Sequence, residues 1–333
     1  MRWNAWFISL PSSGAPGSPA GTHPSRPGGG GTTCGRGNRG ETRHDGRVTV
    51  RTTAVRIPVG TLDVREAGPP DGPPVLLLHG FPQGPESWDE VVPALHDAGY
   101  RTIAPEQRGY AAGARPSGRG AYRVADLTSD ALVVIAERAG GRAHVVGHDW
   151  GAAVAWRLAS RYPDAVRSLT AVSVPPAAAY ARSLVTTRQV LASWYVGAFQ
   201  LPWVPERLLR PDDRGWSPVL EGALRRTGQT PERARRDAQR MAQPGALTAA
   251  LNWYRGIAVG DLREGDPPVT VPTLFVWSDG DTAITRQGIE LTHRHVTAPY
   301  TYAELRGVSH WVPEEAPDEL AARLLDHLAA HPG

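Results

Sequence analysis

The chain has 333 residues and 41% of them are hydrophobic, which suffices for a large buried core in one α/β domain or two smaller ones. Its formal net charge of +3 is uneven, since residues 1–47 carry six Arg against Glu41 and Asp45 while the remainder is close to neutral. Such a remainder gives no indication of nucleic-acid binding. The single cysteine, Cys34, excludes an intramolecular disulfide and argues against thiol catalysis.

The amino-terminal stretch has a composition typical of disordered chains. Residues 1–47 are rich in Gly, Pro, Ser and Arg and have little apolar surface to bury, so we predict a disordered tail. No apolar run is long enough to span a membrane. Together with the single cysteine, this predicts a cytoplasmic protein without a membrane partner.

In the remaining chain predicted strands alternate with predicted helices, and this alternation is typical of an α/β protein. Strands are predicted at 53–58, 61–66, 75–79, 101–105, 166–174, 271–277 and 300–305, with one more before residue 147, and helices at 87–98, 124–139 and 317–330. From 177 to 268 the pattern changes to amphipathic helices. We therefore predict a doubly wound, mostly parallel sheet built from 48–176 and 269–333, with 177–268 inserted as a helical lid over its carboxyl edge.

The stretch 147–151 carries the main chemical signal. An apolar strand ends in Gly-His-Asp-Trp-Gly and an Ala-rich helix follows. This order is that of the nucleophile elbow of the α/β-hydrolase fold. Glycine is expected at positions 147 and 151 for a steric reason, because a Cβ at either position would collide with the neighbouring strand or helix. The apex residue is Asp149 instead of serine, so we predict a carboxylate nucleophile.

Two further residues complete the predicted catalytic set. His310 follows the last strand, where a loop should face the elbow and an imidazole can activate water against an ester on Asp149. The alternative is a loop residue that only satisfies backbone groups. The acid is predicted at Asp281, because Asp279 has the character of a turn residue, and it would fix the tautomer of His310. The alternative for Asp281 is a helix N-cap.

Residues 79–83, His-Gly-Phe-Pro-Gln, follow the first buried strand and fit an oxyanion-hole loop. The backbone N–H groups of Phe81 and Trp150 would bind the negative charge that develops on the ester. On its own the His-Gly pair is equally compatible with an ordinary turn. We also expect Phe81, Trp150 and the lid residue Trp194 to contact the substrate.

The elbow at 147–151 and the loop at 79–83 together resemble the epoxide hydrolase branch of the α/β-hydrolase superfamily, over essentially residues 50–330. The resemblance implies two lid tyrosines that protonate the epoxide oxygen. Tyr195 and Tyr254 stand in sequence contexts that match the two lid motifs. For either tyrosine the alternative is an amphipathic core residue with its hydroxyl at the surface.

The resemblance implies a two-step reaction that opens a hydrophobic epoxide to a vicinal diol. Asp149 forms an ester with the substrate, and water activated by His310 hydrolyses it. No metal or organic cofactor is required. The expected partner is a small-molecule epoxide, and a homodimer is one option for assembly.

The family usually has Asp where Glu106 stands, a departure with little bearing on the chemistry, and Arg108 is interpreted as structural.

Several alternatives share parts of this pattern. A haloalkane dehalogenase uses the same Asp, His and acid and holds halide with the Trp after the nucleophile, but Phe81 and the tyrosine pair favour an epoxide hydrolase. A fluoroacetate-type dehalogenase would have Arg in place of Trp150, and an esterase would have Ser in place of Asp149. A non-catalytic hydrolase-fold binding protein is disfavoured because every predicted catalytic residue is present.

Overall fold

The computed structural model describes residues 50–257 and 265–332, so the predicted disordered tail at 1–47 lies outside the described residues. Within the described residues, eight strands form one sheet in the order β1-β2-β4-β3-β5-β6-β7-β8. The strands are β1 (Arg51–Ile57), β2 (Gly60–Ala67), β3 (Pro74–Leu78), β4 (Arg101–Pro105), β5 (Ala143–His148), β6 (Val166–Val172), β7 (Thr273–Ser278) and β8 (Tyr300–Leu305).

The sheet is mostly parallel. β2 runs antiparallel to β1 and to β4, and the remaining neighbouring pairs are parallel. Parallel strands that are covered on both faces are expected to be apolar without interruption. β3, β5 and β7 are buried along their whole length, in agreement with that expectation. The predicted α/β-hydrolase fold is thereby confirmed.

Helices cover both faces of the sheet and occupy the interval between β6 and β7. The helices that pack on the sheet are α1 (Val92–Asp97), α2 (Val124–Arg138), α3 (Trp150–Arg161) and α13 (Pro317–Ala330). The helices of the interval are α4 (Ala177–Thr186), α5 (Gln189–Ala192), α6 (Trp194–Phe199), α7 (Val204–Leu208), α8 (Pro218–Arg226), α9 (Pro231–Ala242) and α10 (Ala246–Arg255). They lie within the range predicted for the lid, whose domain bounds stay a prediction.

Shorter helical turns connect the larger elements. They are α11 (Arg286–Ile289), α12 (Val312–Glu315) and the 3-10 turns Pro85–Trp88, Ala112–Ala114, Arg119–Tyr122, Pro163–Ala165 and Thr292–His295. Among the described residues, none of the helices combines the length and the apolar content that crossing a bilayer requires.

Two predicted elements differ from the structure. The helix predicted at 87–98 is instead the 3-10 turn Pro85–Trp88 followed by α1. Pro93 lies in the first turn of α1, where its missing N–H is tolerated, whereas it would break a helix that began earlier. The strand predicted at 166–174 ends at Val172, because Ser173 turns the chain with a φ of +70°.

The carboxyl ends of the parallel strands bring the predicted site together. β3 leads into Gly80 and Phe81, β5 ends beside Asp149, β7 is followed by Asp281, and β8 is followed by His310. In open α/β sheets this edge is where ligands bind. Residues that are more than 200 positions apart in the chain therefore meet because the strands that precede them are parallel.

Candidate active site

The turn after β5 holds Asp149 in a strained backbone conformation, with φ +53° and ψ −119°. Its neighbours explain why glycines surround it. A Cβ on Gly147 would lie 2.2 Å from the carbonyl oxygen of Gly151, and a Cβ on Gly151 would lie 2.1 Å from the carbonyl oxygen of Leu78. A Cβ on Gly80 would lie 2.3 Å from the Cβ of Asp149 itself. The glycines thus make room for a side chain that projects at the strand edge.

In the structure, His310 lies between Asp281 and Asp149. His310 Nδ1 lies 2.8 Å from Asp281 Oδ2, and His310 Nε2 lies 3.5 Å from Asp149 Oδ2. The side chain of Asp281 is fully buried, that of His310 is 6% exposed, and that of Asp149 is 15% exposed. The exposure rises toward Asp149, so a small molecule reaches the carboxylate and not the acid at the far end.

Asp281 is held by backbone hydrogen bonds, but it is not a helix N-cap, because the helix that follows, α11, has Thr285 as its N-cap. Its Oδ2 accepts a hydrogen bond from His310, while its Oδ1 accepts hydrogen bonds from the backbone N–H groups of Ala283 and Ile284 at 2.8 and 2.9 Å. The backbone bonds fix the carboxylate and leave one oxygen for the imidazole. Asp279 instead accepts from the backbone N–H of Gly307 at 2.7 Å, and it therefore braces the turn.

The loop that carries His310 is fixed by two buried side chains. His148 Nε2 donates to the carbonyl oxygen of His310 at 2.9 Å, and the Ser173 hydroxyl donates to the same oxygen at 3.2 Å. Burial, followed by the charge of His310, lowers the pKa of His148 to about 4. His148 is therefore neutral at physiological pH and serves to hold the loop.

Opposite charges set the protonation of the pair at the centre of the site. Burial by itself lowers the pKa of His310, but the negative charge of Asp281 and the hydrogen bond and charge of Asp149 outweigh it and raise that pKa to about 10. Burial likewise raises the pKa of Asp149, and the hydrogen bond and charge of His310 more than reverse this, so the net shift is downward. At rest the site therefore contains an ionised Asp149 beside a protonated His310.

The loop after β3 supplies one of the two predicted oxyanion donors directly. The backbone N–H of Phe81 donates to Asp149 Oδ1 at 2.7 Å. Trp150 is the first residue of α3, so its N–H is among those without an intrahelical acceptor. The role of the Trp150 N–H in binding an oxyanion stays a prediction.

The same loop is locked to the segment after β4. His79 Nε2 accepts from the backbone N–H of Gln107 at 3.2 Å, and the Gln107 side chain donates to the carbonyl oxygen of His79 at 2.6 Å. Burial lowers the pKa of His79 to about 4, so its ring stays neutral in this arrangement. Arg108 makes a two-pronged ion pair with buried Asp130 at 2.7 Å, as expected of a structural residue.

Both tyrosines of the predicted lid line the same cavities as Asp149. Tyr195 on α6 and Tyr254 on α10 have ring centroids 6.2 Å apart, and the ring of Tyr254 also lies 5.0 Å from that of Trp150. Burial, with a contribution from the nearby Asp149 carboxylate, raises the pKa of both phenols well above the usual value. They consequently keep their protons at neutral pH and can donate hydrogen bonds.

Two cavities meet at these side chains. The larger has a volume of about 160 Å³ and a mostly apolar wall, and the smaller has about 40 Å³. Asp149, Tyr195 and Tyr254 line both, Trp150 lines the larger, and Phe81 and His310 line the smaller. Within the described part of the chain, no cluster of three or more His, Cys, Asp or Glu side chains is placed to hold a metal ion.

The predicted substrate contact of Trp194 lacks the support that the other predicted contacts have. Its side chain is 36% exposed at the start of α6 and is not among the described residues that line the two cavities. The neighbour of Tyr195 that lines the larger cavity is Val196, and the substrate contact of Trp194 stays a prediction.

Sequence reasoning missed three residues around the site. Tyr180 on α4 lines the larger cavity, and Gln189 on α5 is buried against the segment after Asp281. Arg240 on α9 binds Glu86 at 2.6 Å and also pairs with Glu106, so it fastens the lid to the core. No local motif marks these residues, because each acts through a contact that is distant in the sequence.

Comparison with known proteins places the chain in a family. A family model described as the alpha/beta hydrolase fold matches residues 73–317. Epoxide hydrolase A of Mycobacterium tuberculosis is 32% identical over 306 residues, covering 80% of this chain and 94% of the relative. The chain belongs to the epoxide hydrolase branch of the α/β-hydrolase superfamily. The AB hydrolase superfamily protein YfhM of Bacillus subtilis is 38% identical over 270 residues, with 80% and 94% of the two chains covered.

Solved structures agree with this membership. An epoxide hydrolase from a hot-environment metagenome superposes with a TM-score of 0.72 at 28% identity, covering 84% of this chain and 99% of that one. Epoxide hydrolase A from Mycobacterium thermoresistibile superposes with a TM-score of 0.69 at 29% identity, covering 84% and 98%. The similarity therefore includes the segment between β6 and β7 as well as the sheet.

Proposed function

We propose that this protein hydrolyses a hydrophobic epoxide to a vicinal diol through an ester on Asp149. The observation that carries the proposal is a carboxylate at the elbow apex, with His310 on one side and the phenols of Tyr195 and Tyr254 on the other. A carboxylate attacks a saturated carbon without needing a base, and an epoxide needs hydrogen-bond donors for its departing oxygen. Both requirements are met around one small cavity.

In the first step an oxygen of ionised Asp149 attacks an epoxide carbon. Oδ2 is suited to the attack, because Oδ1 is held by the Phe81 N–H at 2.7 Å. The carbon–oxygen bond of the ring breaks, and its electron pair goes to the ring oxygen. Tyr195 and Tyr254 donate hydrogen bonds to that oxygen and supply its proton. The product is an alkyl ester whose acyl oxygen still faces Phe81.

The ester changes the protonation of its neighbour. At rest the charge of Asp149 helps to raise the pKa of His310, and esterification removes that charge. His310 then gives up its proton more readily. That proton restores the phenol that protonated the ring oxygen, and His310 becomes the base that the second step needs. Asp281 still fixes Nδ1, so Nε2 is the nitrogen that faces the ester.

In the second step water attacks the carboxyl carbon of the ester. The cavity of about 40 Å³ beside His310 has room for one water molecule. His310 takes a proton from that water, and the negative charge develops on the oxygen next to the Phe81 N–H. The bond to the alkyl oxygen then breaks, and that oxygen takes the proton from His310 to become the second diol hydroxyl. The new Asp149 carboxyl group finally gives its proton to His310, which restores the resting state. We also propose that residues 177–268 form the lid and that residues 48–176 and 269–333 form the core. For the enzyme's location we propose the cytoplasm, in line with its single cysteine.

The test is diol formation from aryl and alkyl epoxides by the wild type and by Asp149→Ala, with halide release from bromoalkanes measured alongside. We expect diol without halide from the wild type, and a loss of about 10⁴-fold or more in Asp149→Ala. Halide without diol would instead identify a dehalogenase. The matched control is Asp279→Ala, whose carboxylate braces only the neighbouring turn.

A further inference from the structure

A third phenol shares the larger cavity with the proposed catalytic pair. Tyr180 on α4 lines the cavity of about 160 Å³ together with Asp149, Tyr195 and Tyr254. Burial raises the pKa of Tyr180, and the charge of Asp149, which lines the same cavity, adds to that effect, so the phenol keeps its proton. Ring opening needs hydrogen bonds at one oxygen, and the other two tyrosines already serve it. Tyr180 is therefore a donor group that the proposed mechanism leaves unused.

The surroundings of Tyr180 fix which atoms donate. Its hydroxyl is hydrogen-bonded to Ser193 Oγ at 2.7 Å. Ser193 Oγ is in turn 2.8 Å from Gln189 Nε2. The orientation of the Gln189 amide is unambiguous, because Oε1 accepts from the backbone N–H of Thr285 at 2.8 Å and Nε2 donates to the carbonyl oxygen of Ala283 at 2.7 Å. The second Nε2 hydrogen consequently goes to Ser193 Oγ.

Counting hydrogens at this pair leaves one donor over. Tyr180 and Ser193 each have one hydroxyl hydrogen, and the single bond between them uses one of the two. Among the described residues, neither hydroxyl has a further acceptor. An oxygen that enters the cavity can therefore accept from Tyr180, while Ser193 turns to donate to the Tyr180 oxygen. The internal hydrogen bond is kept throughout this exchange.

We propose that Tyr180 binds a second oxygen of the substrate, so that the preferred substrates are epoxides with an ether, hydroxyl or carbonyl oxygen near the ring. This rests on the proposed function and makes it more specific. The cavity wall is otherwise mostly apolar, and an oxygen that enters such a wall is favoured only where a donor meets it. Tyr180 thus determines specificity and leaves the ring opening to Tyr195 and Tyr254.

The test compares Tyr180→Phe with the wild type on two matched pairs of epoxides. One pair is phenyl glycidyl ether and the analogue in which a methylene group replaces the ether oxygen. The other pair has the ether oxygen one carbon further from the epoxide ring. For each pair we take the ratio of kcat/KM, ether over methylene analogue, within each enzyme. Any effect of the substitution that is the same on both substrates cancels in this ratio. We expect Tyr180→Phe to lower this ratio about three- to tenfold in at least one pair, as loss of one neutral hydrogen bond predicts.

Two controls keep the result interpretable. Ser193→Ala removes the partner and leaves the Tyr180 hydroxyl free to donate, so the ratio should stay within about twofold of the wild type. Tyr162→Phe alters an exposed phenol and should leave every rate unchanged. Equal losses on ether and methylene substrates in Tyr180→Phe, or unchanged ratios in both pairs, would overturn the proposal. If the wild type formed no diol at all, the proposed function itself would have failed.

Discussion

The core half and the lid half of the site are built by different kinds of interaction. In the core half, Asp149, His310 and Asp281 follow strand ends. The two carboxylates accept hydrogen bonds from backbone N–H groups, the carbonyl oxygen of His310 accepts one from a buried side chain, and glycines make room around Asp149. In the lid half, Tyr195 and Tyr254 stand on separate short helices. In the proposed mechanism the core half fixes the nucleophile and its water, and the lid half serves the departing oxygen and the choice of substrate.

Several of the ties between the halves are ion pairs. Arg240 on the lid contacts Glu86 and Glu106 of the core, and these side chains are only 16 to 20% exposed. Arg236 similarly lies 2.7 Å from Glu314, which accepts a hydrogen bond from Gln83 in the loop after β3. The lid is thus attached next to the oxyanion loop. Variants in one half should therefore affect different steps from variants in the other.

Among variants that keep Asp149, His310→Gln should have the largest effect on turnover, because it removes the proposed base from the core half. We expect steady-state diol formation to fall by about 10³-fold or more, because glutamine cannot take a proton from water. Ester formation should persist, so mixing enzyme with a chromogenic epoxide should give a burst close to one equivalent per active site. A variant that lost both the burst and the turnover would place His310 in the first step as well.

The lid half is tested by Tyr254→Phe and Tyr195→Phe. Each substitution removes a donor to the departing oxygen while keeping the ring, so we expect kcat/KM to fall by about 10²-fold in each. The double variant should lose more. Stopped-flow measurement should locate the loss in ester formation, with ester hydrolysis nearly unchanged. If both single variants retained wild-type rates, the two phenols would have only a packing role.

The charge coupling within the core half predicts a pH effect. His310 has a pKa raised to about 10 by Asp281 and Asp149, so Asp149→Asn should lower it, as followed by NMR titration of the imidazole. The stabilisation from this coupling should be complete below the ordinary pKa of 6.5 and should be lost as the pH rises toward about 10. An imidazole that titrates at the same pH in both proteins would show that the two groups are not coupled.

The attachment of the lid is tested by Arg240→Gln, with the smallest expected effect. Loss of these partly buried ion pairs should lower the free energy of unfolding by about 1–3 kcal/mol in urea denaturation. The matched control is Arg214→Gln, since Arg214 is 66% exposed beside Asp212 and should contribute little. Equal stability of the two variants would mean that the ion pairs of Arg240 contribute little to holding the lid in place.

The contrast between the halves also explains what the sequence could predict. The elbow, the loop at 79–83 and the positions after β7 and β8 are local patterns at strand ends, so Asp149, Asp281 and His310 could be placed from spacing alone. Tyr195 and Tyr254 were identifiable only through resemblance to a family, because nothing in a short helix tells which face meets the cavity.

The residues that sequence reasoning missed all act through long-range contacts. Glu106 was recognised as a departure from the family pattern, but its partner Arg240 lies 134 positions away, so the ion pair could not be anticipated. The role of Tyr180 likewise becomes apparent only from the cavity that it lines, and that of Gln189 from its contact with the segment after Asp281. The break of the predicted helix at 87–98 differs in kind, since Pro93 was visible in the sequence and its local effect was overlooked.

The most direct test of an Asp149 ester is the source of the new diol oxygen in a single turnover. With enzyme in excess over epoxide in H₂¹⁸O, attack by the carboxylate puts an unlabelled oxygen into the diol, and the heavy atom enters Asp149 when water cleaves the ester. We predict unlabelled diol together with label in the peptide that spans residues 143–157, located by mass spectrometry. Labelled diol with an unlabelled peptide would mean that water attacks the epoxide directly, and it would contradict the proposed role of Asp149.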